Sequence, residues 1–183
     1  MNVIRKIVYD LYINWLEGIV LRDFREEDMD KVIALYQDVF SEPPWNEKWS
    51  YEDVLKSIEY CLNQKNPIFL VAELEYTNDL AGFMWAYELN LDKFPLLNGL
   101  VKPDEAIYGN ELAVDRNLRG NGIGSNLEGV SCEIANRLGY KYFVGKTDME
   151  SKMFPLFGKL GYANTGIANP AYPTRFYFIK NLK

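Results

Sequence analysis

Residues 108–125 read YGNELAVDRNLRGNGIGS, and this stretch decides the organisation of the 183-residue chain. Its first half predicts a strand over 107–114 that ends in a turn. Arg119 to Ser125 then supply a cation, three glycines and a hydroxyl before a long amphipathic segment. Glycines allow backbone angles closed to other residues, and a helix start presents free N–H groups and a positive dipole to an anion. The stretch therefore predicts an anion-binding loop, with Arg119 as an additional cation.

Two other glycine-rich loops are excluded by the residues around these glycines. A nucleotide-hydrolysing P-loop needs a lysine and then Ser or Thr after its last glycine, whereas Gly124 leads straight into Ser125. A Rossmann fingerprint needs a third, more widely spaced glycine in the first strand-turn-helix unit of a fold. Leu127 stands where that glycine is required, and the loop lies past the middle of the chain.

Three segments follow one another in a recognisable order: Glu111-Leu-Ala-Val-Asp115, Arg119-Gly-Asn-Gly-Ile-Gly124 and Leu156-Phe-Gly-Lys-Leu-Gly-Tyr162. Together they resemble the GNAT superfamily of acetyl-CoA-dependent N-acetyltransferases, whose loop has the form Arg/Gln-x-x-Gly-x-Gly/Ala. The resemblance extends over residues 19–182. It implies acetyl-CoA as co-substrate, with its pyrophosphate on the loop amides. The cofactor-binding residues that it implies are Leu112, Ala113, Val114, Arg119, Gly120, Asn121, Gly122, Ile123, Gly124 and Ser125.

Hydrophobic periodicity and turn residues predict an α/β (α+β) domain over residues 19–183, preceded by an N-terminal extension over 1–18 that packs on it. That extension is interpreted as a helix or strand, since its apolar residues are interrupted and no cleavage pattern follows. Strands are predicted over 19–22, 67–73, 80–89, 107–114, 140–146, 161–166 and 172–179. Helices are predicted over 29–40, from a Ser50 cap to Leu62, from Ile123 to a Gly139 cap, and over 149–160 with a kink or an irregular start at Pro155.

This order is the one that the resemblance implies, a mixed and mostly antiparallel central sheet flanked by helices. A parallel step is expected between 107 and 146, because parallel neighbours need a crossover connection. In the family, the two strands of this step splay apart and admit the pantetheine arm. The connection over 90–106 has room for one helical turn and is a candidate for substrate contact, since long loops in compact domains are often functional.

Composition restricts the chemistry. A net charge of −6 without a basic cluster disfavours nucleic-acid binding and suits a cationic amine, and no apolar run reaches the length of a membrane span. The absence of histidine excludes His-dependent nucleophiles and the common zinc sites, and no metal is expected. Cys61 and Cys132 fall at apolar helix positions and are interpreted as buried thiols, which fits a reducing, cytoplasmic location. The expected assembly is a monomer or homodimer.

The resemblance points to Glu111 as the catalytic residue, because the family commonly places an acid on this strand to take a proton from the acceptor amine. Such an amine is mostly protonated at neutral pH and cannot attack before it loses that proton. Two alternatives stay open from the residues themselves. Glu111 can be a structural carboxylate that holds a neighbouring amide or lysine, and Asn110 can face the cleft in its place.

Two departures from the family pattern concern the last helix. Many members have a tyrosine near the departing thiolate where this chain has Phe157, which has no proton to donate and is also a candidate for plain core packing. Another group or water then protonates the thiolate, or the thiolate leaves unassisted. Glu150 stands where the family has an asparagine, which leaves the coenzyme A contacts of this helix open.

The loop between the first two helices is where the family usually builds its acceptor pocket. Indole rings beside an acid can hold a cation by ring-face attraction and charge, although the same rings can simply pin the loop. The candidate substrate residues are Trp45, Glu47, Asn110, Tyr172 and Arg175, beside Asn46 and Trp49 in the loop.

The sequence therefore predicts an N-acetyltransferase that moves an acetyl group from acetyl-CoA to a primary amine by direct attack, with a small-molecule acceptor. Two alternatives remain: acetylation of a protein N-terminus or lysine, which needs an open groove, and a coenzyme A-binding module with weak or no catalysis.

Overall fold

A seven-stranded sheet organises the computed structural model, which describes residues 17–182. The strands are β1 (Ile19–Asp23), β2 (Ile68–Leu74), β3 (Leu80–Glu88), β4 (Ala106–Val114), β5 (Tyr142–Asp148), β6 (Ala163–Asn169) and β7 (Tyr172–Asn181). The helices are α1 (Met29–Phe40), α2 (Tyr51–Leu62), α3 (Ile123–Arg137) and α4 (Met153–Lys159), with 3-10 turns at Glu26–Asp28, Pro95–Leu97, Pro103–Glu105 and Arg116–Leu118. Most of the expected N-terminal extension lies outside the described residues, so the division at residue 18 stays a prediction.

The strands lie in the order β1-β2-β3-β4-β5-β7-β6, and every neighbouring pair is antiparallel except β4 and β5. This confirms the mostly antiparallel sheet and its one parallel step, which α3 makes possible as the crossover. Pairing of β4 with β5 ends at Gly109 and Gly145, although the two strands continue to Val114 and Asp148. Beyond this point the strands are separate, and we refer to the space between them as the β4–β5 gap.

Two hydrophobic clusters hold helices on opposite faces of the sheet. Buried residues of α1 and α2 pack with Phe83 and Trp85 of β3 on one face. Buried residues of α3 and the α4 residue Phe157 pack with β2, Met84 and Phe143 on the other. The helix spacing of the α1 and α3 apolar residues thus creates one buried stripe on each helix. The functional consequence is that the β4–β5 gap is bordered by helices on both faces.

The predicted bounds of α4 were wrong at the N-terminal end, because this helix begins at Met153, four residues later than expected. The Asp148 carboxylate accepts hydrogen bonds from the Glu150 N–H at 2.9 Å and the Thr174 hydroxyl at 2.6 Å, which holds the chain in a turn after β5. Pro155 then stands in the first helical turn, where its missing N–H costs no intrahelical bond. The irregular start was therefore the correct alternative, and no kink is needed.

Candidate active site

One cavity of about 990 Å³ contains residues from the glycine loop, the β4–β5 gap and the loop between α1 and α2. Its wall includes Gly122 and Ser125 at the start of α3, Glu111 on β4, and Arg175 on β7. An anion-binding loop and a carboxylate therefore share one continuous space. We call the part around Trp45, Glu47, Glu111, Tyr172 and Arg175 the acceptor end.

Two of the three loop glycines have the backbone geometry that the sequence predicted, whereas Gly124 lies within α3. Gly120 and Gly122 have φ angles of 90° and 82°, in the left-handed region that other residues rarely adopt. Gly122 is the N-cap of α3, and the N–H of Asn126 bonds to its carbonyl at 3.0 Å. The N–H groups of Ile123, Gly124 and Ser125 lie in the first helical turn, where they have no partner within the helix. These amides form the positive end of α3 that faces the cavity.

Close packing of α3 on β4 depends on Gly124. A Cβ atom at this position would lie 3.3 Å from Leu112 Cδ2 and 3.5 Å from Val114 Cγ2. The small residue therefore lets the helix start approach the strand that ends in the loop. All the predicted cofactor-binding residues line the cavity except Asn121, which is exposed and donates from its side chain to the Leu118 carbonyl at 3.1 Å.

Arg119 connects the loop to the end of β4 and to the segment after α1. Its Nε donates to the Val114 carbonyl at 3.0 Å, and its Nη1 forms an ion pair with Glu42 at 2.7 Å. Glu42 also pairs with Arg116 at 2.9 Å. Because Glu42 shares its charge with two arginines, the positive charge of Arg119 is only partly neutralised. Arg119 lines the cavity in this arrangement, beside the glycines.

A β-bulge positions Asn110 and Glu111. The pairing of β3 with β4 passes from Trp85 with Glu111 to Ala86 with Gly109, so Asn110 is the extra residue. Bulges redirect side chains and often occur beside active sites. The Glu111 carboxylate accepts a hydrogen bond from the Asn110 side-chain amide at 3.0 Å, and the Asn110 oxygen accepts one from the Tyr87 hydroxyl at 2.9 Å.

The environment of Glu111 makes it a proton acceptor near neutral pH. Burial raises the pKa of this carboxyl to about 7, with Lys146 lowering it and Glu47 raising it. Burial, together with the charge of Glu111, also raises the pKa of the neighbouring Tyr36 phenol well above its ordinary value. A general base is most effective when its pKa is close to the operating pH, and Glu111 meets that condition. Its catalytic role stays a prediction.

Two lysines at the acceptor end were missed in the sequence. Lys93 follows β3, on the connection that was expected to contact substrate, and its ammonium group lies 3.8 Å from the Tyr60 ring centre and 3.4 Å from the Tyr87 hydroxyl. Lys146 lies on β5, one residue past the last pair with β4. Burial lowers the pKa of both ammonium groups. Isolated lysines form no sequence motif. The one available indication was their position, Lys93 in the connection over 90–106 and Lys146 at the end of the strand predicted over 140–146.

Four of the five candidate substrate residues contact one another, and the cation that the other three surround is the side chain of Arg175. Arg175 pairs with Glu47 at 2.7 Å, and its guanidinium lies 4.0 Å from the Tyr172 ring centre and 4.8 Å from that of Trp45. Glu47 also accepts a hydrogen bond from the Trp49 indole at 2.9 Å. The expected cation site of indoles and an acid thus exists, with Arg175 in it. Its consequence is a bridge between the α1–α2 loop and β7 across the acceptor end.

Phe157 is buried and packs on Tyr162 and Phe178, with ring centroids 4.5 and 4.9 Å away. A Cβ atom on Gly145 would lie only 2.8 Å from its ring, so this phenyl group closely covers the last paired residue of β5. The interpretation of Phe157 as core packing is confirmed. Glu150 is exposed and lines the cavity.

Within residues 17–182, no helix is long and apolar enough to cross a membrane. Over the same part of the chain, His, Cys, Asp and Glu side chains form no group of three or more that could hold a metal ion. The expectation of a metal-independent reaction stays a prediction.

Comparison with known proteins connects this geometry to one family. The model of the acetyltransferase (GNAT) family matches residues 29–162, which include α1, the glycine loop and α4. Among curated proteins, none matches the chain significantly.

Several solved structures share the fold. An N-acetyltransferase from Staphylococcus aureus has a TM-score of 0.69 at 18% identity, covering 91% of this chain and 100% of that one. The PaiA N-acetyltransferase from Thermoplasma acidophilum, in complex with coenzyme A, has a TM-score of 0.65 at 16% identity, covering 89% and 98%. A chain of the NatC complex bound to a Gag peptide and coenzyme A has a TM-score of 0.71 at 19% identity, covering 91% and 99%.

Proposed function

The chain belongs to the GNAT family of acetyltransferases, and on that premise we propose that it transfers the acetyl group of acetyl-CoA to the amine of a small molecule. The observation that carries this proposal is that Glu111 and the amides at the start of α3 line one cavity. One end of that cavity suits an anion, and the other end has a carboxyl group able to take a proton.

Each part of the cavity has a distinct task in this proposal. The amides of the first α3 turn and Arg119 hold the pyrophosphate of coenzyme A. The β4 edge beyond Gly109 has no β5 partner, so its backbone groups are available to pair with the pantetheine amides. Bound acetyl-CoA supplies an activated acetyl thioester. The residues fit this group, because Gly122 begins α3 in the left-handed conformation at the cavity wall and the small Gly124 lets the start of the helix lie close to β4.

Glu111 prepares the acceptor. An alkylamine has a pKa near that of lysine, about 10, and is mostly protonated at neutral pH. The Glu111 carboxylate accepts this proton directly or through water, and the Asn110 amide holds the carboxylate in place with its hydrogen bond. The free amine then attacks the thioester carbonyl without a covalent enzyme intermediate. The C–S bond breaks, coenzyme A leaves as its thiolate, and the proton that the attacking nitrogen loses balances the charge of that thiolate.

A small acceptor is favoured over a protein chain by the bridge across the acceptor end. Arg175 of β7 binds Glu47 of the α1–α2 loop and stacks between Tyr172 and Trp45, which narrows the route by which a polypeptide would reach Glu111. Similarity of fold does not decide this point, since one structural neighbour was solved with a peptide. A protein acceptor therefore remains an outcome that the test must be able to detect.

The test of the proposed function is a panel of small amines and peptides incubated with acetyl-CoA, with release of the coenzyme A thiol as the signal. Acetylated products are identified by mass spectrometry. Release that depends on a small amine supports the proposal, whereas release only with peptides indicates a protein acceptor. Tight binding of coenzyme A with no transfer to any amine indicates a binding module.

Replacing Arg119 by alanine is expected to weaken coenzyme A binding about tenfold to a hundredfold, because one hydrogen bond to a charged group is typically worth about 1.5–3 kcal/mol. The loss should be larger at low salt, where exposed charges are screened less. Titration calorimetry at two salt concentrations measures both effects. Arg137→Ala is the matched control, since Arg137 pairs with Glu133 at the opposite end of α3. Equal affinity in both variants would show that Arg119 has only a structural role.

Direct transfer predicts that the Cys61→Ser, Cys132→Ser double variant keeps the wild-type rate. Both thiols are buried, neither lines the cavity, and burial raises the pKa of Cys61 to about 12. A thiol in such a setting is a poor nucleophile. Trapping an acetylated cysteine that passes its group to the amine would contradict the prediction. We also propose a reducing, cytoplasmic location, which the two free thiols support.

A further inference from the structure

We propose that the acceptor carries an acidic group as well as its amine, as an amino acid does, and that Lys146 and Lys93 bind that acidic group. This inference rests on the proposed function and specifies its substrate class. The charged residues at the acceptor end, and the partners that each of them has, support it.

Lys146 is a partly buried cation in the wall of the cavity. Within residues 17–182 its ammonium group has neither an ion-pair partner nor a hydrogen-bond acceptor among the contacts of the structure, and burial lowers its pKa. A charged group that is partly removed from water is stabilised by an opposite charge, and charged groups in protein interiors are normally paired. An unpaired, partly buried ammonium group in the wall of a cavity therefore favours the binding of an anion in that cavity.

Lys93 adds a second positive charge to the wall of the same cavity. Its ammonium group contacts the Tyr60 ring and the Tyr87 hydroxyl, and in the described part of the chain it has no carboxylate partner. Both lysines line the same cavity, and the charge of Lys146 lowers the pKa of Lys93. An anion bound in this part of the cavity would stabilise the positive charge of both ammonium groups.

The carboxylates nearby leave this positive charge in excess when Glu111 is protonated. Glu47 is already paired with Arg175, and Asp148 accepts a hydrogen bond from Thr174 and lies 3.9 Å from Arg175 Nε. Of the two carboxyl groups whose charge acts on Lys146, Glu111 and Glu47, Glu111 is therefore the one that Arg175 does not neutralise, and its pKa of about 7 leaves it partly protonated at neutral pH. Once Glu111 has taken the proton of the acceptor amine, it no longer neutralises either lysine.

The geometry thus separates two subsites in one small space. Glu111 lies on β4 and Lys146 on β5, on the two sides of the β4–β5 gap, and Lys93 comes from the connection after β3. The positively charged amine of such an acceptor is complementary to the Glu111 carboxylate, and its negatively charged acidic group is complementary to the two lysines. A simple alkylamine would fill the first subsite and leave the second without a partner.

Matched pairs of acceptors test the inference, each pair consisting of an amino acid and its carboxamide, with the amino group at several distances from the acid. The specificity constant of each is measured by thiol release and compared per free amine, because the carboxamide changes the pKa of the amino group. We expect the acid member to be preferred about tenfold to a hundredfold. In Lys146→Met this preference should fall towards unity, mainly through a higher KM for the acid. Lys93→Met should reduce it as well.

Lys141→Met is the control variant, because Lys141 is an exposed lysine paired with Glu105 away from the cavity. It should keep the full preference of the wild type. If wild type uses carboxamides or C-terminally amidated peptides as well as it uses the acids, the acidic acceptor is wrong although acetyl transfer stands. A preference that survives in the Lys146→Met, Lys93→Met double variant refutes the role of the lysines. If acetyl-CoA binds and no member of any pair is acetylated, the proposed function fails and this inference fails with it.

Discussion

Gly122→Val is expected to reduce coenzyme A affinity by a hundredfold or more. Gly122 has a φ of 82° at the N-cap of α3, an angle that a β-branched residue strongly resists. Relaxing this strain would move the loop and turn the first amides of α3 away from the phosphates. Each hydrogen bond to a charged group is typically worth about 1.5–3 kcal/mol, so losing two of them accounts for a loss of about a hundredfold.

Gly139→Val separates this effect from a general loss of stability. Gly139 follows the other end of the same helix with a φ of 93°, and no atom lies within 4 Å of where its Cβ would be. Both variants therefore introduce similar backbone strain, but only Gly122 lines the cavity. Thermal unfolding should show comparable destabilisation, whereas titration calorimetry should show lost affinity in Gly122→Val alone. A folded Gly122→Val protein with wild-type affinity would mean that the loop does not hold the pyrophosphate.

Elements with strong local signals were predicted closely from the sequence. The bounds of α1 match over 29–40, because its apolar periodicity is clear and the prolines after it prevent the helix from continuing. Ser50 caps α2 as expected, its hydroxyl accepting from the Asp53 N–H at 3.1 Å. The predicted start of α4 was wrong, because the turn before this helix depends on the contact of Asp148 with Thr174, which is 26 residues away in the chain. Such a contact has no trace in local periodicity.

The same distinction applies to the candidate site. The glycine loop is one continuous segment, so its residues and their geometry could be predicted together. The acceptor end is assembled by topology: Glu47 and Arg175 are 128 residues apart, and Lys146 reaches the cavity because β5 separates from β4 after Gly145. The direction of Glu111 depends on the bulge at Asn110. These features follow from strand register, which the sequence indicates only weakly.

Glu111→Gln is expected to lower kcat about 10²-fold or more while coenzyme A affinity stays near wild type. Glutamine keeps the shape of the side chain and a carbonyl acceptor for the Asn110 amide, but it cannot take a proton from the acceptor. The wild-type rate should rise as pH increases through about 7, because that is where the buried Glu111 carboxyl ionises. The variant should lose this rise and follow only the fraction of free amine.

Stability provides an independent measurement at the same residue. The pKa of the Glu111 carboxyl is raised from its ordinary value of 4.5 to about 7 in the folded protein. The folded state therefore holds this proton more tightly than the unfolded chain. As a result, the free energy of unfolding of wild type decreases as pH rises from 4.5 to about 7, and at higher pH this group causes no further decrease. Glutamine has no proton to lose, and Glu111→Gln should unfold at a higher temperature than wild type near pH 8, with a smaller difference near pH 4.

Glu133→Gln is the control for the change in net charge, since Glu133 is paired with Arg137 on the outer surface of α3 and does not line the cavity. It should keep both the rate and its pH dependence. A Glu111→Gln protein that is more stable at high pH yet retains full turnover would show a buried carboxyl without a catalytic role. A Glu111→Gln variant that is both slow and more stable at high pH would indicate that Glu111 is a catalytic base that lowers folding stability. Both effects have one cause. Burial destabilises the Glu111 carboxylate, and it also raises the pKa of this group to the range in which it can accept the proton of an amine.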